Sequence, residues 1–226
     1  YRAMKESTKL KRMFIVRYAD DFKIFCSSYE DAQKIFIATK QWLSERLHLE
    51  VSPDKSKITN LRKNYTDFLG FKLKLKPKRK QFVCTSHIAD KQMERIQNKI
   101  KAEPSRKGVM RYNSVILGQH NYYKIASEVN TDFKIIAYRV LRKQYNQLRR
   151  RFKATKYVGA KEKLKRYNRY KIKTYVNKVN NNKKETTYAI LPIQAITNKP
   201  PMNFNNDICN YTESGRKLIH KELETI

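Results

Sequence analysis

The sequence is short of acids. It sets 51 Lys and Arg against 20 Asp and Glu over 226 residues, for a formal net charge of +31. Such an excess repels itself in a compact state unless a polyanion or counterions compensate. Cysteine is scarce as well. Cys26, Cys84 and Cys209 lie far apart and form no C-x-x-C pair, which argues against a zinc ribbon or a dithiol redox motif. A sparse, odd count fits a reducing compartment. No apolar run reaches membrane-spanning length. No signal-peptide core follows Tyr1, and no internal repeat is visible.

What is present suits a folded nucleic-acid binder. Hydrophobic residues make up 40%, so the chain is not compositionally disordered. Its length allows one good core or two to three small domains. Aromatics reach 12%, with 15 Tyr. Rings among cations suit stacking on bases and contact with phosphates, and neutralising phosphates releases counterions without any base reading. Composition alone fits a ribosomal or chromatin-like protein equally.

The pattern along the chain starts strand-rich. Residues 13–27 hold two β-prone runs around Asp20-Asp21, which predicts a hairpin with the acids at or near its tip. Phe14, Val16 and Tyr18 share one face of the first run, and Phe22, Ile24 and Cys26 share one face of the second. Over 30–47, Ala32, Ile35, Phe36, Thr39, Trp42, Leu43 and Leu47 follow helical spacing, with Ser28 or Asp31 as cap. Further strands are expected at 57–60, 67–71 and 81–84. The segment Lys74 to Lys80, with Pro77, reads as a basic hairpin tip.

From residue 88 the spacing turns helical. Met93, Ile96 and Ile100 line a first helix that Pro104 ends. A second covers about 111–128, with Val115, Ile116, Tyr122, Tyr123 and Ala126. A third covers about 131–152, with the stripe Phe133, Ile136, Ala137, Val140, Leu141 and Leu148. Lys and Arg then crowd 134–184, where Glu162 is the single acid and tyrosines are interleaved. Asn180-Asn181-Asn182 reads as a loop, and a last helix starts near 213.

Tyr18-Ala19-Asp20-Asp21 carries the chemistry. Nucleotidyl transfer uses two divalent metals about 4 Å apart, which activate a 3′-hydroxyl and stabilise the leaving pyrophosphate. Hard Mg²⁺ prefers carboxylate and phosphate oxygens. Flanking strands give two adjacent carboxylates a rigid base. Read alone, Asp-Asp is equally plain turn chemistry.

Phe14-Ile15-Val16-Arg17-Tyr18-Ala19-Asp20-Asp21-Phe22 resembles motif C of reverse transcriptases. Ala19 in the variable position and Arg17 before Tyr18 resemble group II intron enzymes. After the helix, Leu47-His48-Leu49-Glu50-Val51-Ser52-Pro53-Asp54-Lys55-Ser56-Lys57-Ile58 is similar to the family's motif D, with Asp54 and Ser56 where Glu and Thr are usual. Phe68-Leu69-Gly70-Phe71 resembles the primer-grip motif E. Three motifs in order are more specific than any one.

The resemblance implies roles. Asp20 and Asp21 are the catalytic and metal-binding acids, with Asp20 the direct ligand and Mg²⁺ the cofactor. Tyr18 and Ala19 line the nucleotide or primer side, as do Phe68, Leu69 and Gly70. Lys55 stands by the pyrophosphate, although a solvated lysine is an equal reading. Gly70 allows close backbone approach, or simply a tight bend. The family's motif A, with a further catalytic Asp, and the fingers have no counterpart in residues 1–12, where Glu6 is the sole acid. The sequence is therefore expected to be the rear part of a longer enzyme, inactive as a polymerase by itself.

Gly118-Gln119-His120-Asn121-Tyr122-Tyr123 is similar to a signature of the maturase X region, or thumb. Gln119 departs from the bulky residue usual there. For Tyr122 and Tyr123, packing is favoured over base contact, and His120 is expected at the surface. Arg142, Lys143, Arg149, Arg150 and Arg151 resemble the thumb's basic, RNA-binding end. The segment after 154 fits either a DNA-binding region or a solvated charged linker.

The expected fold is α+β: a partial reverse transcriptase palm (1–86), a helical thumb with X region (87–154) and a basic nucleic-acid-binding region (155–226). The implied function is that of an RNA-directed DNA polymerase and maturase of a group II intron. Implied partners are intron RNA, a DNA target, an RNA/DNA primer-template duplex and deoxynucleotide triphosphates, with no membrane and a homodimer left open. A CRISPR-associated or diversity-generating reverse transcriptase, and a splicing-only maturase, remain as alternatives.

Overall fold

A computed structural model describes residues 13–101, 108–158, 167, 173–181, 184–199 and 211–220. Expectations resting on Glu6, Pro104, Glu162, Asn182 and Cys209 lie outside them. The architecture is mixed. Strands β1 (Phe14–Tyr18) and β2 (Asp21–Phe25) precede helix α1 (Tyr29–Leu47). Strands β3 (Thr66–Phe68), β4 (Phe71–Lys78) and β5 (Gln81–Ile88) follow. Then come helices α2 (Asp90–Ile100), α3 (Val109–Tyr123) and α4 (Val129–Arg151). Strands β6 (Lys153–Thr155), β7 (Thr174–Asn181) and β8 (Lys184–Ala189) lead to helix α5 (Glu213–His220). The sheets are ordered β1-β2, β3-β4-β5 and β6-β7-β8. The α+β expectation agrees with this mixture. No helix among the described residues is long and apolar enough to cross a membrane.

The chain divides into two compact units. The first is residues 1–68 with 73–84, and the second is 69–72 with 85–226.

In the first unit, β1 and β2 pair antiparallel, Phe14 with Phe25 through Tyr18 with Asp21. Ser28 caps α1, its hydroxyl accepting from Asp31 N at 3.1 Å. Left-handed His48 ends the helix. The core is thin. Among the described residues of this unit only Ile35 and Thr66 are buried, and the expected apolar face of β1 is exposed, Tyr18 at 65%. Trp42 and Leu47 of α1 are exposed as well.

Three strand expectations need correction here. No strand forms over 57–60. The Asn60 side chain accepts from Arg62 N, and its carbonyl accepts from Lys63 N and Asn64 N, which turns the backbone instead. Residues 67–71 are not one strand but a bend, because Leu69 and Gly70 both take positive φ, 50° and 82°. The basic tip narrows to Arg79-Lys80, and β4 runs on through Pro77. Leu75 N points away from β5, to Leu61 O at 2.9 Å. Pro77, two residues on, has its ring nitrogen on that same outward side, where no ladder bond is lost.

The second unit holds the main core. Met93, Ile96 and Ile100 of α2 meet Ile116 and Tyr123 of α3 and Phe133, Ile136, Val140 and Leu148 of α4. Each large side chain buried this fully contributes about 1.5–3 kcal/mol. The expected helices form with shifted ends: α3 stops at Tyr123, and a turn over 124–128 precedes α4. Polar ties fix the helices to their neighbours. Asp132, 3% exposed, accepts from Ile88 N at 2.7 Å, and His87 Nδ1 lies 2.9 Å from its other oxygen. Tyr112 donates to Gln144, whose amide donates to the Lys101 carbonyl just past the end of α2. Burial pushes the Tyr112 hydroxyl well above the usual tyrosine range, with Tyr175 adding to the shift.

Among the described residues after 152, β6, β7 and β8 form a sheet. Lys153 pairs with Val176, and Val176 in turn with Ala189. Val176, Ala189, Ile190 and Leu191 are buried, so a solvated linker does not describe them. The strand β7 continues through Asn180 and Asn181, correcting the loop expected there.

Candidate active site and nucleic-acid-binding residues

The β1–β2 tip is built from four residues. Tyr18 and Asp21 close the ladder, leaving Ala19 and Asp20 as a two-residue turn. Ala19 has φ 52°, and Asp20 is not in the positive region. Positive φ at the first central residue alone is the sign pattern of a type II′ turn, one that suits the right-handed twist of paired strands. Alanine there carries strain of about 1–2 kcal/mol. Arg17 Nε donates to the Ala19 carbonyl at 2.7 Å and braces the bend. From β2, Lys23 Nζ donates to Thr66 Oγ1 of β3 at 3.1 Å.

Asp20 and Asp21 are exposed, and among the described residues neither carboxylate has a hydrogen bond or ion pair. Carboxylate oxygens free of protein partners suit a hard divalent cation. They are two donors, and no group of three or more His, Cys, Asp or Glu suited to a metal occurs among the described residues. A full shell at Asp20 and Asp21 therefore needs water, phosphate or a further acid.

Lys55 sits exposed on a separate turn, closed by Ser56 N on Ser52 O at 3.1 Å. No hydrogen bond or ion pair among the described residues joins it to the two acids. Phe68 ends β3, and Leu69-Gly70 links it to β4 with φ positive at both positions, the sign pattern of a type I′ turn. Within the second unit this turn is tightly held. Tyr122 donates its hydroxyl to Leu69 O at 3.0 Å, and Ala89 N donates to Gly70 O at 2.9 Å. A Cβ on Gly70 would meet Gln92 Cγ at 3.3 Å and the Tyr123 hydroxyl at 3.4 Å. Phe71 stacks on Tyr122, centroids 5.8 Å apart, and meets Tyr123 edge-on. The core-packing reading holds for Tyr123, which is buried, whereas Tyr122 is 54% exposed and packs on Phe71 outside the core.

Arg142, Lys143, Arg149, Arg150 and Arg151 all lie exposed on α4. Arg149 sits over the Tyr145 ring at 5.9 Å. An open cavity of about 530 Å³ is lined by Lys134, Tyr138, Arg142 and Tyr145 of α4, with Tyr175 of β7 and Gln194. Burial, with Tyr145 nearby, pushes the Tyr175 hydroxyl above its ordinary value. A second cavity, of about 540 Å³, lies between α1 and Ile58, and neither touches Asp20 or Asp21.

One surface expectation fails. His120 is buried, its Nε2 donating to Ile193 O at 2.8 Å and its ring edge-on to Phe133. Asn113 is likewise buried and bridges α3 to the end of β8, donating to Ala189 O and accepting from Leu191 N. Asn113 stands among apolar neighbours at helical spacing, and that is the only sequence signal it leaves.

Residues 2–73 match the protein family described as reverse transcriptase (RNA-dependent DNA polymerase). The match takes in the hairpin tip, Lys55 and the Leu69-Gly70 turn, and it stops before the three helices. No curated protein matches the chain. At the general level the family match supports RNA-directed DNA polymerase as the class of activity.

Proposed function

We propose that this chain belongs to a group II intron-type reverse transcriptase that also serves as an RNA maturase. The carrying observation is the β1–β2 tip, where Asp20 on a braced two-residue turn and Asp21 at the start of β2 present adjacent carboxylates without a partner among the described residues, inside the segment matched to reverse transcriptases. Asp20 and Asp21 would hold Mg²⁺, which when bound activates the primer hydroxyl and neutralises charge on the departing pyrophosphate. The turn's part is positional: strand pairing and Arg17 keep the two acids from swinging with the loop. Tyr18 and Ala19 border the nucleotide, and Lys55 offers charge or a proton to the pyrophosphate. Phe68, Leu69 and Gly70 present backbone to the primer. Arg142, Lys143, Arg149, Arg150 and Arg151 bind phosphates of intron RNA or of the primer-template duplex.

Primer extension on an RNA template with Mg²⁺ tests the reading, using the product of the whole gene beside its Asp20→Ala, Asp21→Ala variant. Extension by the parent and none by the variant is the expected result. If neither extends while both bind intron RNA tightly, the polymerase reading falls and a splicing-only maturase replaces it.

A further inference from the structure

The cavity on α4 has features that duplex phosphates do not call for. Lys134, Tyr138, Arg142, Tyr145 and Arg149 follow spacings of four, four, three and four residues, which keep them on one stripe of the helix. At about 1.5 Å per residue the stripe is about 22 Å long, room for several nucleotides. Cations and rings alternate along it. Tyr138 is 67% exposed and Tyr145 50% exposed, although the neighbouring stripe of Phe133, Ile136, Val140 and Leu148 is fully buried. The rings thus stay in water beside a core that takes in Phe133, Ile136, Val140 and Leu148. Tyr175 and Gln194 form the opposite wall. No acid occurs from 133 to 161, so nothing on the stripe neutralises its charge.

A base-paired strand keeps its bases turned inward and offers phosphates to a protein surface. Exposed tyrosine rings between cations match a strand whose bases are splayed out, with rings taking the bases and Lys or Arg the phosphates. We propose that this groove binds an unpaired stretch of nucleic acid, with Tyr138 and Tyr145 stacking on bases and Lys134 and Arg142 on the flanking phosphates. The inference rests on the reading that the chain handles nucleic acid. It does not rest on polymerase chemistry.

The test is fluorescence anisotropy with the full chain at fixed ionic strength. The probes are a labelled unpaired RNA of about 12 nucleotides, within the range of single-strand sites, its DNA counterpart, and the same RNA sequence as a duplex. Tyr138→Ala with Tyr145→Ala is expected to weaken binding of the unpaired RNA or DNA about 10- to 100-fold and to leave duplex binding within about twofold. Tyr138→Phe with Tyr145→Phe keeps the rings and is expected to bind as the parent does. Lys134→Ala with Arg142→Ala is expected to flatten the salt dependence. A loss confined to RNA or to DNA names the strand. Parent-like binding of the unpaired probes by the alanine pair, or an equal loss on duplex, overturns the proposal. Failure of the polymerase reading shows separately, as absent primer extension with this tyrosine-dependent binding intact.

Discussion

At the scale of single residues, the tip depends on a conformation that alanine tolerates and branched side chains do not. Ala19, at φ 52°, holds the bend that separates Tyr18 from Asp21. Ala19→Val adds a β-branched side chain at positive φ and is expected to cost the hairpin about 1–2 kcal/mol. Native-state hydrogen exchange reads that as β1 and β2 amides opening roughly 5- to 30-fold more often. Unchanged exchange would mean the turn does not hold Ala19 in the left-handed region. The place of the acids was legible in the sequence, because two short β-prone runs flank the pair. His120, Asp132 and Asn113 were not. Each is satisfied by a carbonyl, an amide or a ring far along the chain, and local spacing carries no trace of such partners.

Elements were legible where burial has a period. The helical stripes of α2 and α4 were readable from spacing, since the core takes in the side chains expected inside, Leu141 only in part. Turns were read less well, because their positions rest on individual backbone angles. The bend inside the expected strand 67–71 comes from Leu69 and Gly70, and a leucine gives no warning of positive φ. That turn is also the element most sensitive to a small change. Gly70→Ala places a methyl group 3.3 Å from Gln92 Cγ at φ 82° and is expected to cost about 1–2 kcal/mol. Urea denaturation would show a lower midpoint with an unchanged slope. A midpoint equal to the parent's would mean that the turn relaxes freely and that α2 and α3 do not hold it.

For the molecule as a whole, the large positive charge was the plainest sequence feature, and the cavity with its alternating rings and cations is where the fold gives that charge a shape. Stability at high pH follows from the same helical unit. The hydroxyl of Tyr112 is buried and donates to Gln144, and its folded-state pKa is raised above the ordinary value of 10.0. Its contribution is fully present below about pH 10 and is lost as pH rises further, because the unfolded chain releases the proton first. Tyr112→Phe is expected to lower stability at pH 7 by about 1 kcal/mol and to flatten the decline above pH 10. Denaturant titrations from pH 8 to about 11 would show this. An equally steep decline in the variant would assign the alkaline sensitivity elsewhere.

The division into two units also has a consequence for the gene. The chain passes between them at 68/69, 72/73 and 84/85, so the Leu69–Lys72 segment belongs to one unit although its flanking residues belong to the other. No single cut in the polypeptide yields both units whole. Recombination at one breakpoint cannot exchange one half for a homologous half without splitting a hairpin.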